Sequence, residues 1–506
     1  MEAHPSDLLA AYPGPWDERA AAHLLNRTGF SAPLEKVEAA LKDSPDAVLQ
    51  RLLDYESTPD PYARPDWAEP ETDWTPPSLL SEKDKKERQR IAQEHRRELQ
   101  TWWIRRMASA PRPLQEKLTL FWHGHFATSL EKVKGPYLMW LQNETFRRNA
   151  KGNFHTLVSE ISQDPAMILW LDNDSNRKEH PNENYARELM ELFTLGEGHY
   201  TEQDIKESAR AFTGWGFRKR DQQFYFNSKQ HDSGEKTFMG KQGKWNGNDI
   251  VDIIFEQPRC AGFIAEKLWT FFAYENPEPE IIEGLGQILR QSKYELRPVL
   301  WKLFSCQAFY SERALRAQIK SPVQLVIGSF QVVKKEFPQK EPIARLLLNV
   351  LRLMGQEPFD PPDVSGWEGG LTWVNTASLL LRYNFANYLV HGVPSDNMVG
   401  KVKPGKGPQP ARPGLKELMR RNAEILSIAA LYDPSKATSS SELVRHFARL
   451  LWNCQPDKDS FAQFTKFLDT DENGDPRVFK SANADAEQKI RGLIHLMMST
   501  PQYQLC

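Results

Sequence analysis

Apolar positions recur with a helical period through most of this chain, and the breaks between such runs carry capping residues or proline. In GFSAPLEKVEAALKD and DSPDAVLQRLLDY, the apolar residues return every three or four positions behind Ser31 with Pro33 and behind Ser44 with Pro45. A hydroxyl at the cap accepts a free amide, and proline in the first turn loses no hydrogen bond, so two short amphipathic helices are predicted. The next stretch, STPDPYARPDWAEPETDWTPPSLL, has no period and is rich in proline and acid. It predicts an extended strap, because each proline removes a donor and restricts its predecessor. At SEKDKKERQRIAQEHRRELQTWWIRRM the helical pattern returns. Ser81 with Asp84 reads as a variant capping box, and a long exposed helix follows that turns apolar near Trp102 and Trp103. Acids and bases alternate along it, as on a solvated face rather than a nucleic-acid site.

PLQEKLTLFWHGHF, FHTLVSEISQDPAMILWLD, ENYARELMELFTLG and TEQDIKESARAFTGW continue the series, with Gly196 and Gly198 as stops and Thr201 with Asp204 as a capping box. One segment changes period. QFYFN alternates, and the Gly-bearing HDSGEKTFMG follows, so one hairpin is predicted over about 222–245. Helices resume to about 392, broken by the loop EPFDPPDVSGWEGGLTWVN. The basic Pro/Gly run 397–414 reads as a linker, followed by helices in LKELMRRNAEILSIAALY, SELVRHFARLLWNC and EQKIRGLIHLMMSTPQYQLC. The predicted class is mainly α: a multi-helix globular core with one small β-hairpin insertion. Its predicted parts are N-terminal helices 1–55, a strap 56–80, a main helical domain 81–396, the linker 397–414 and a helical part 415–506 packed on the main domain.

Composition narrows the function. Among 506 residues, 40% are hydrophobic and 26% charged, and 65 basic against 67 acidic residues leave a net charge of −2. That balance gives no electrostatic reason to expect nucleic acid or an anionic membrane as partner. No apolar run reaches the ~18 residues of a membrane span. The N-terminus has neither basic start nor apolar run, so the chain as written is expected in the cytoplasm. Cys260, Cys306, Cys454 and Cys506 lack metal or disulfide spacing and read as buried thiols. GxSxG, P-loop, dinucleotide GxGxxG and HExxH motifs are all missing.

Four stretches could carry chemistry. On a helix from Glu183 to Leu195, Asn184, Glu188 and Glu191 share one narrow face with Arg187 on its flank, opposite Tyr185, Leu189, Met190, Leu192 and Phe193. Two carboxylates one turn apart can act as an acid/base couple or hold a cation, with Arg187 keeping one ionised. The same stripe also describes an ordinary wet face. In FWHGHF, His123 and His125 point apart if helical and together if in a strand, and the preceding helix pattern argues against a strand. Trp122 and Phe126 beside them predict a packed, partly dry setting that shifts imidazole titration. In HDSGEKTFMG, His231, Asp232 and Lys236 lie on a Gly-bearing loop, where Asp232 orients His231 or caps a turn. DTDENGDPRVFK matches only the first half of a calcium loop, since Lys480 stands where a bidentate Glu is needed.

Taken together, LLNRTGF, FWHGHFATS, NENYARELMELFTLG, YTEQDIKESARAFTGW, HDSGEKTFMG, PPDVSGWEGGLTWVN and LMMSTPQYQ resemble, in this order, a bacterial family catalogued as domain of unknown function 1800. The resemblance runs from about residue 18 to 504. It implies a largely helical fold, a frequently exported protein, and a partner protein from a neighbouring family that is similar to sulfatases and alkaline phosphatases. This chain departs by lacking a leader. The family motifs contain His123, His125, Glu183, Asn184, Glu188, Glu191, His231, Asp232 and Lys236, so the resemblance implies that these converge. LFTLGEGHYT also resembles the TIGxGH turn of phage-type lysozymes, although a helix intervenes here where a sheet follows there.

The expected function is therefore a hydrolase-like enzyme acting on a carbohydrate or envelope-type substrate. Its catalytic residues would be Glu188, Glu191, His231 and Asp232. Asn184, Arg187, Lys236 and Trp122 would contact substrate, and His123, His125 and Glu183 would hold a divalent metal if the reaction is metal-assisted. The alternative is a non-catalytic helical binding or assembly factor whose buried Glu and His form structural networks.

Overall fold

Asp17 accepts the amide hydrogen of Ala20 at 3.0 Å and so starts α1 (Glu18–Thr28), an Ala-rich helix that joins the two predicted N-terminal ones. α2 (Leu34–Ala40) begins at Pro33 without a side-chain cap, because the Ser31 hydroxyl donates to Gln331 instead, at 2.7 Å. α3 (Pro45–Leu53) is capped by Ser44 as its sequence predicts. The chain is seen here as a computed structural model that describes residues 8–70, 75–218, 221–393, 398, 401–403, 406–409, 424–435, 437–471, 473–481 and 483–506. It is mainly helical.

The long charged segment forms α4 (Glu82–Ser109), with Ser81 accepting from the Asp84 amide at 3.1 Å, and only its C-terminal half buries Leu99, Trp103, Ile104 and Met107. After it come α5 (Pro113–His125), α6 (Leu130–Val133), α7 (Pro136–Arg148), α8 (Phe154–Ser162), α9 (Pro165–Trp170), α10 (Asn184–Glu188) and α11 (Glu202–Ala211). Beyond the hairpins lie α12 (Gly247–Glu256), α13 (Pro258–Phe272), α14 (Pro279–Gln291), α15 (Leu296–Ser305), α16 (Pro322–Val332), α17 (Glu341–Leu353) and α18 (Thr376–His391). The C-terminal elements are α19 (Ser440–Trp452), α20 (Lys458–Leu468), α21 (Ala486–Met498) and α22 (Pro501–Gln504).

Among the described residues two apolar cores result. One gathers α1–α3, α8 and α10–α15; the other gathers α4, α16–α18 and α19–α22. α5 lies between them, giving Leu114, Leu118, Phe121 and Trp122 to the first and Leu120 to the second. Every residue from Leu114 to His123 is buried, which is why this helix shows apolar residues all round. Among the described residues no helix is long and apolar enough to cross a membrane, and the four cysteines are free thiols.

The predicted hairpin insertion is present, built as two hairpins. QFYF, as β2 (Gln223–Phe226), pairs backwards with β1 (Trp215–Arg218), Trp215 facing Phe226. A second hairpin, β3 (Lys236–Phe238) and β4 (Lys241–Gly243), turns through Met239 and Gly240, both at positive φ, the conformation of a type I′ turn. Within the predicted linker, β5 (Lys401–Lys403) and β6 (Lys406–Gln409) also pair; its other residues, Met398 apart, fall outside those described. Of the helix predicted at 415–432, residues 415–423 lie outside the described residues and 424–427 are not helical. Their backbone is claimed by tertiary partners: the Leu426 amide donates to Val390, and its carbonyl accepts from Arg491 at 3.1 Å. The calcium-like loop turns its acids on the protein. Asp469 accepts from Ser440 and from the Phe479 amide, and Asp471 accepts from the amides of Asn473 and Asp475.

Two buried acids hold α5, α7 and α9 in place. Glu116, 1% exposed, accepts from Trp103, Arg106 and Arg147, tying α4, α5 and α7 together. Asp164 caps α9, accepting from the Met167 amide at 2.9 Å and from Gln142 at 2.7 Å. Burial pushes the Asp164 carboxyl up to about 7 against the pull of those hydrogen bonds. A folded value above the unfolded one stabilises fully below pH ~4 and is lost as pH rises through about 7. Asp164→Asn keeps the cap and removes this dependence. The variant is expected to gain stability over the wild type between pH 5 and pH 8, by up to a few kcal/mol. Unfolding midpoints at both pH values check this, and a pH-independent difference contradicts it.

Candidate functional site

The acid-rich segment is not one regular helix. α10 ends at Glu188, and Leu189–Thr194 form a π-helix in which the Leu195 amide reaches back five residues to Met190, at 2.8 Å. Wide turns of this kind are rare and recur at functional sites. Here tertiary partners account for it. His125 donates through Nε2 to the Phe193 carbonyl at 3.0 Å, Arg259 Nε donates to the Leu195 carbonyl at 3.0 Å, and the Thr194 hydroxyl donates to Leu189. Gly196, at φ +84°, then turns the chain against Phe263. Loss of one such clamp should loosen this turn selectively. In His125→Leu, the amides of Leu195 and Gly196 are expected to exchange about tenfold faster while α12 and α13 keep their rates. Unchanged exchange at those two amides would contradict the clamp.

α10 and the π-helix together carry the open polar groups. Glu188 and Glu191 are both half-buried, and Asn184 on the same side is exposed. Burial and then the charge of Glu191 push the Glu188 carboxyl above the ordinary glutamate value, with Arg187 pulling weakly the other way. Glu191 accepts from the Tyr200 hydroxyl at 2.5 Å. Burial and that carboxylate together raise the phenol of Tyr200. Arg187 does not clamp the pair. Its guanidinium forks onto Glu202 at 2.9 and 3.0 Å, with Glu183 at 3.4 Å. Tyr200 is a site residue that helix spacing alone misses. Its signal is the Gly196–Gly198 turn, which folds the chain back onto Glu191.

The two histidines of FWHGHF point into different cores. His123 is 1% exposed, accepts from the Phe359 amide at 3.1 Å, and meets Trp103 and Trp367 edge-on. His125 packs near Phe193 and Phe263. Burial lowers both imidazoles to about 3, so both stay neutral and serve main-chain partners. Glu183 lies with Arg187 rather than with them, and among the described residues no three His, Cys, Asp or Glu side chains stand close enough to hold a metal ion. Trp122 is fully buried, donating to the Ala150 carbonyl at 2.9 Å, which makes it core rather than a substrate wall. The glycine that packing requires here is Gly366, which faces the backbone between the histidines. Gly366, at φ +82°, sits so close that a Cβ there would lie 2.1 Å from the Gly124 carbonyl oxygen. The SGWEGG loop thus meets α5 backbone to backbone.

The HDSGEK loop is likewise closed on itself. His231 donates to the Thr213 carbonyl at 2.9 Å. Asp232 accepts from Arg210 at 2.7 Å and from the Gly234 amide at 2.8 Å. Burial alone would raise the Asp232 carboxyl, but Arg210 and that amide hold it below the usual range. Lys236, 1% exposed, gives its ammonium to the carbonyls of Asp232 and Gly234, and burial lowers it. Among the described residues no hydrogen bond or ion pair joins this loop to Glu188 or Glu191.

All these residues fall within one match. A family model described as protein of unknown function (DUF1800) covers residues 23–505. The chain is a DUF1800 protein. No curated protein and no solved structure matches it. HGH and SGWEGG pack α5 against the 357–375 loop, HDSGEK pins its hairpin to α11, and NENYARELMELF presents Glu188 at the end of α10 and Glu191 on the clamped π-helix.

Proposed function

We propose that this DUF1800 protein is an acid–base enzyme of the hydrolase class, working on a carbohydrate or envelope-type substrate through Glu188 and Glu191. The observation that carries the reading is the carboxylate pair itself. Glu188, pushed up by burial and by its neighbour, suits proton donation, while Glu191, fixed by the Tyr200 hydroxyl at 2.5 Å, is the second carboxylate of the pair. Two carboxylates in unlike environments are the usual equipment of acid/base hydrolysis, glycoside hydrolysis included. His125 and Arg259 act as positioning residues, and His231, Asp232 and Lys236 shape the neighbouring hairpin. The wild type is expected to release reducing ends from cell-wall polysaccharide or nitrophenyl glycosides. The Glu188→Gln, Glu191→Gln double variant, with its unfolding midpoint unchanged, is expected to release none. Equal release by the two proteins would sink the assignment.

A second reading, that of a helical binding or assembly factor, is favoured by the way His123, His125, His231 and Lys236 are each spent on main-chain partners. It is selected if the double variant keeps every phenotype of the wild type while His123→Ala, still folded, loses them.

A further inference from the structure

A second polar region, sharing no residue with the π-helix, lies where α1 and α16 meet α19 and α22. Five cations gather there: Arg27, Lys117, Arg316, Lys320 and Arg382. None of them forms an ion pair with an Asp or Glu among the described residues. Arg27 and Arg382 are each 1% exposed. Arg27 gives one nitrogen to the Ala314 carbonyl at 2.7 Å, leaving its Nε and Nη1 without a partner; Arg382 leaves its Nε without one. Lys117, 6% exposed, donates to Gln324 at 3.0 Å, and Lys320 lies over the Tyr503 ring at 4.1 Å. Arg316 meets the Cys454 sulfur and the Gln502 carbonyl. The opposite charge acting on Arg27, Lys117 and Lys320 is at Cys506.

Buried guanidinium groups with open donors are costly unless an anion meets them. A cavity of about 240 Å³ adjoins this cluster, with Arg316, Lys320, Gln324 and Asn26 in its wall. Gln324 links the wall to Lys117, and Asn26 adjoins Arg27 on α1. Among the described residues Glu312 is the one Asp or Glu side chain in the wall, already paired with Arg19 at 2.5 Å, and Cys506 lines it too. So large a surplus of positive charge favours a multiply charged anion over a monocarboxylate, and the volume admits only a small one. We propose that this cavity binds a small free phosphate compound, its oxyanion held by Arg316 and Lys320 with Arg27 and Lys117 one layer deeper.

Equilibrium dialysis of the full chain against labelled inorganic phosphate, at fixed ionic strength in chloride, tests this. About one equivalent should bind saturably at millimolar phosphate. Lys320→Gln and Arg316→Gln should each weaken it about tenfold or more, while Lys83→Gln, an exposed lysine on α4, should bind as the wild type does. No saturable binding by the wild type, or equal binding by both cavity variants, would overturn the proposal. Capture instead on anionic phospholipid vesicles, lost in the same two variants, would overturn the free-anion assignment.

Discussion

Glu116→Gln is expected to destabilise the protein by about 3–5 kcal/mol, the usual cost of removing one member of a buried ion cluster. Glu116 is 1% exposed, and the Arg106 and Arg147 side chains paired with it are 5% and 4% exposed. The substitution keeps the shape but leaves two guanidinium groups facing an amide whose own N–H groups point at donors. Asp60 and Glu144 still pair with Arg106 and Arg147 from the wetter side, which keeps the loss short of complete unfolding. Burial alone would raise the Glu116 carboxyl, but the charges of Arg147 and Arg106 hold it at about 2. Because the folded value lies below the unfolded one, this contribution is present above pH ~4.3 and lost as pH falls through about 2. Denaturant unfolding at neutral and acid pH checks both parts: the gap between wild type and variant should close as the acid limit is approached. An exposed pair such as Arg90–Glu87 on α4 offers the contrast, where removal should leave the unfolding midpoint almost unchanged.

The second large effect concerns the reaction. Glu188→Gln is expected to lower kcat/KM by about 10²- to 10⁴-fold, the ordinary share of a general acid, with little change in the unfolding midpoint because this side chain is half exposed. In the proposed reaction protonated Glu188 is the working form, so wild-type kcat/KM should fall as pH rises through its elevated value. In Glu191→Gln the like charge next to Glu188 disappears, and any residual alkaline limb should move to lower pH. Tyr200→Phe, which removes the hydroxyl bonded to Glu191, should depress kcat more than KM. A Glu188→Gln enzyme with wild-type kcat/KM on a substrate the wild type hydrolyses would remove Glu188 from the mechanism.

Local rules made much of this legible in the residues. Ser44 and Ser81 cap α3 and α4, Thr201 with Asp204 opens α11 as a full capping box, and the described residues of the proline-rich segment after α3 hold little regular structure, as its prolines require. Departures occur where a distant group takes over a backbone bond. The π-helix needs His125 and Arg259, 64 and more positions away from the carbonyls they meet. Residues 424–427 lose their helix to Val390 and Arg491, and QFYF pairs with the strand before it because Trp215 and Phe226 face each other. The candidate site was half legible. Helix spacing put Asn184, Glu188 and Glu191 on one face, but it could not say that His123, His231 and Lys236 are occupied, nor that Tyr200 returns to Glu191.

The most direct measurement is the titration of Glu188 by carboxyl-¹³C NMR, in the wild type and in Glu191→Gln. The carboxylate-pair account predicts a Glu188 midpoint above the ordinary glutamate value that drops when Glu191 is neutralised. A midpoint at or below the ordinary value, unmoved by Glu191→Gln, would contradict it.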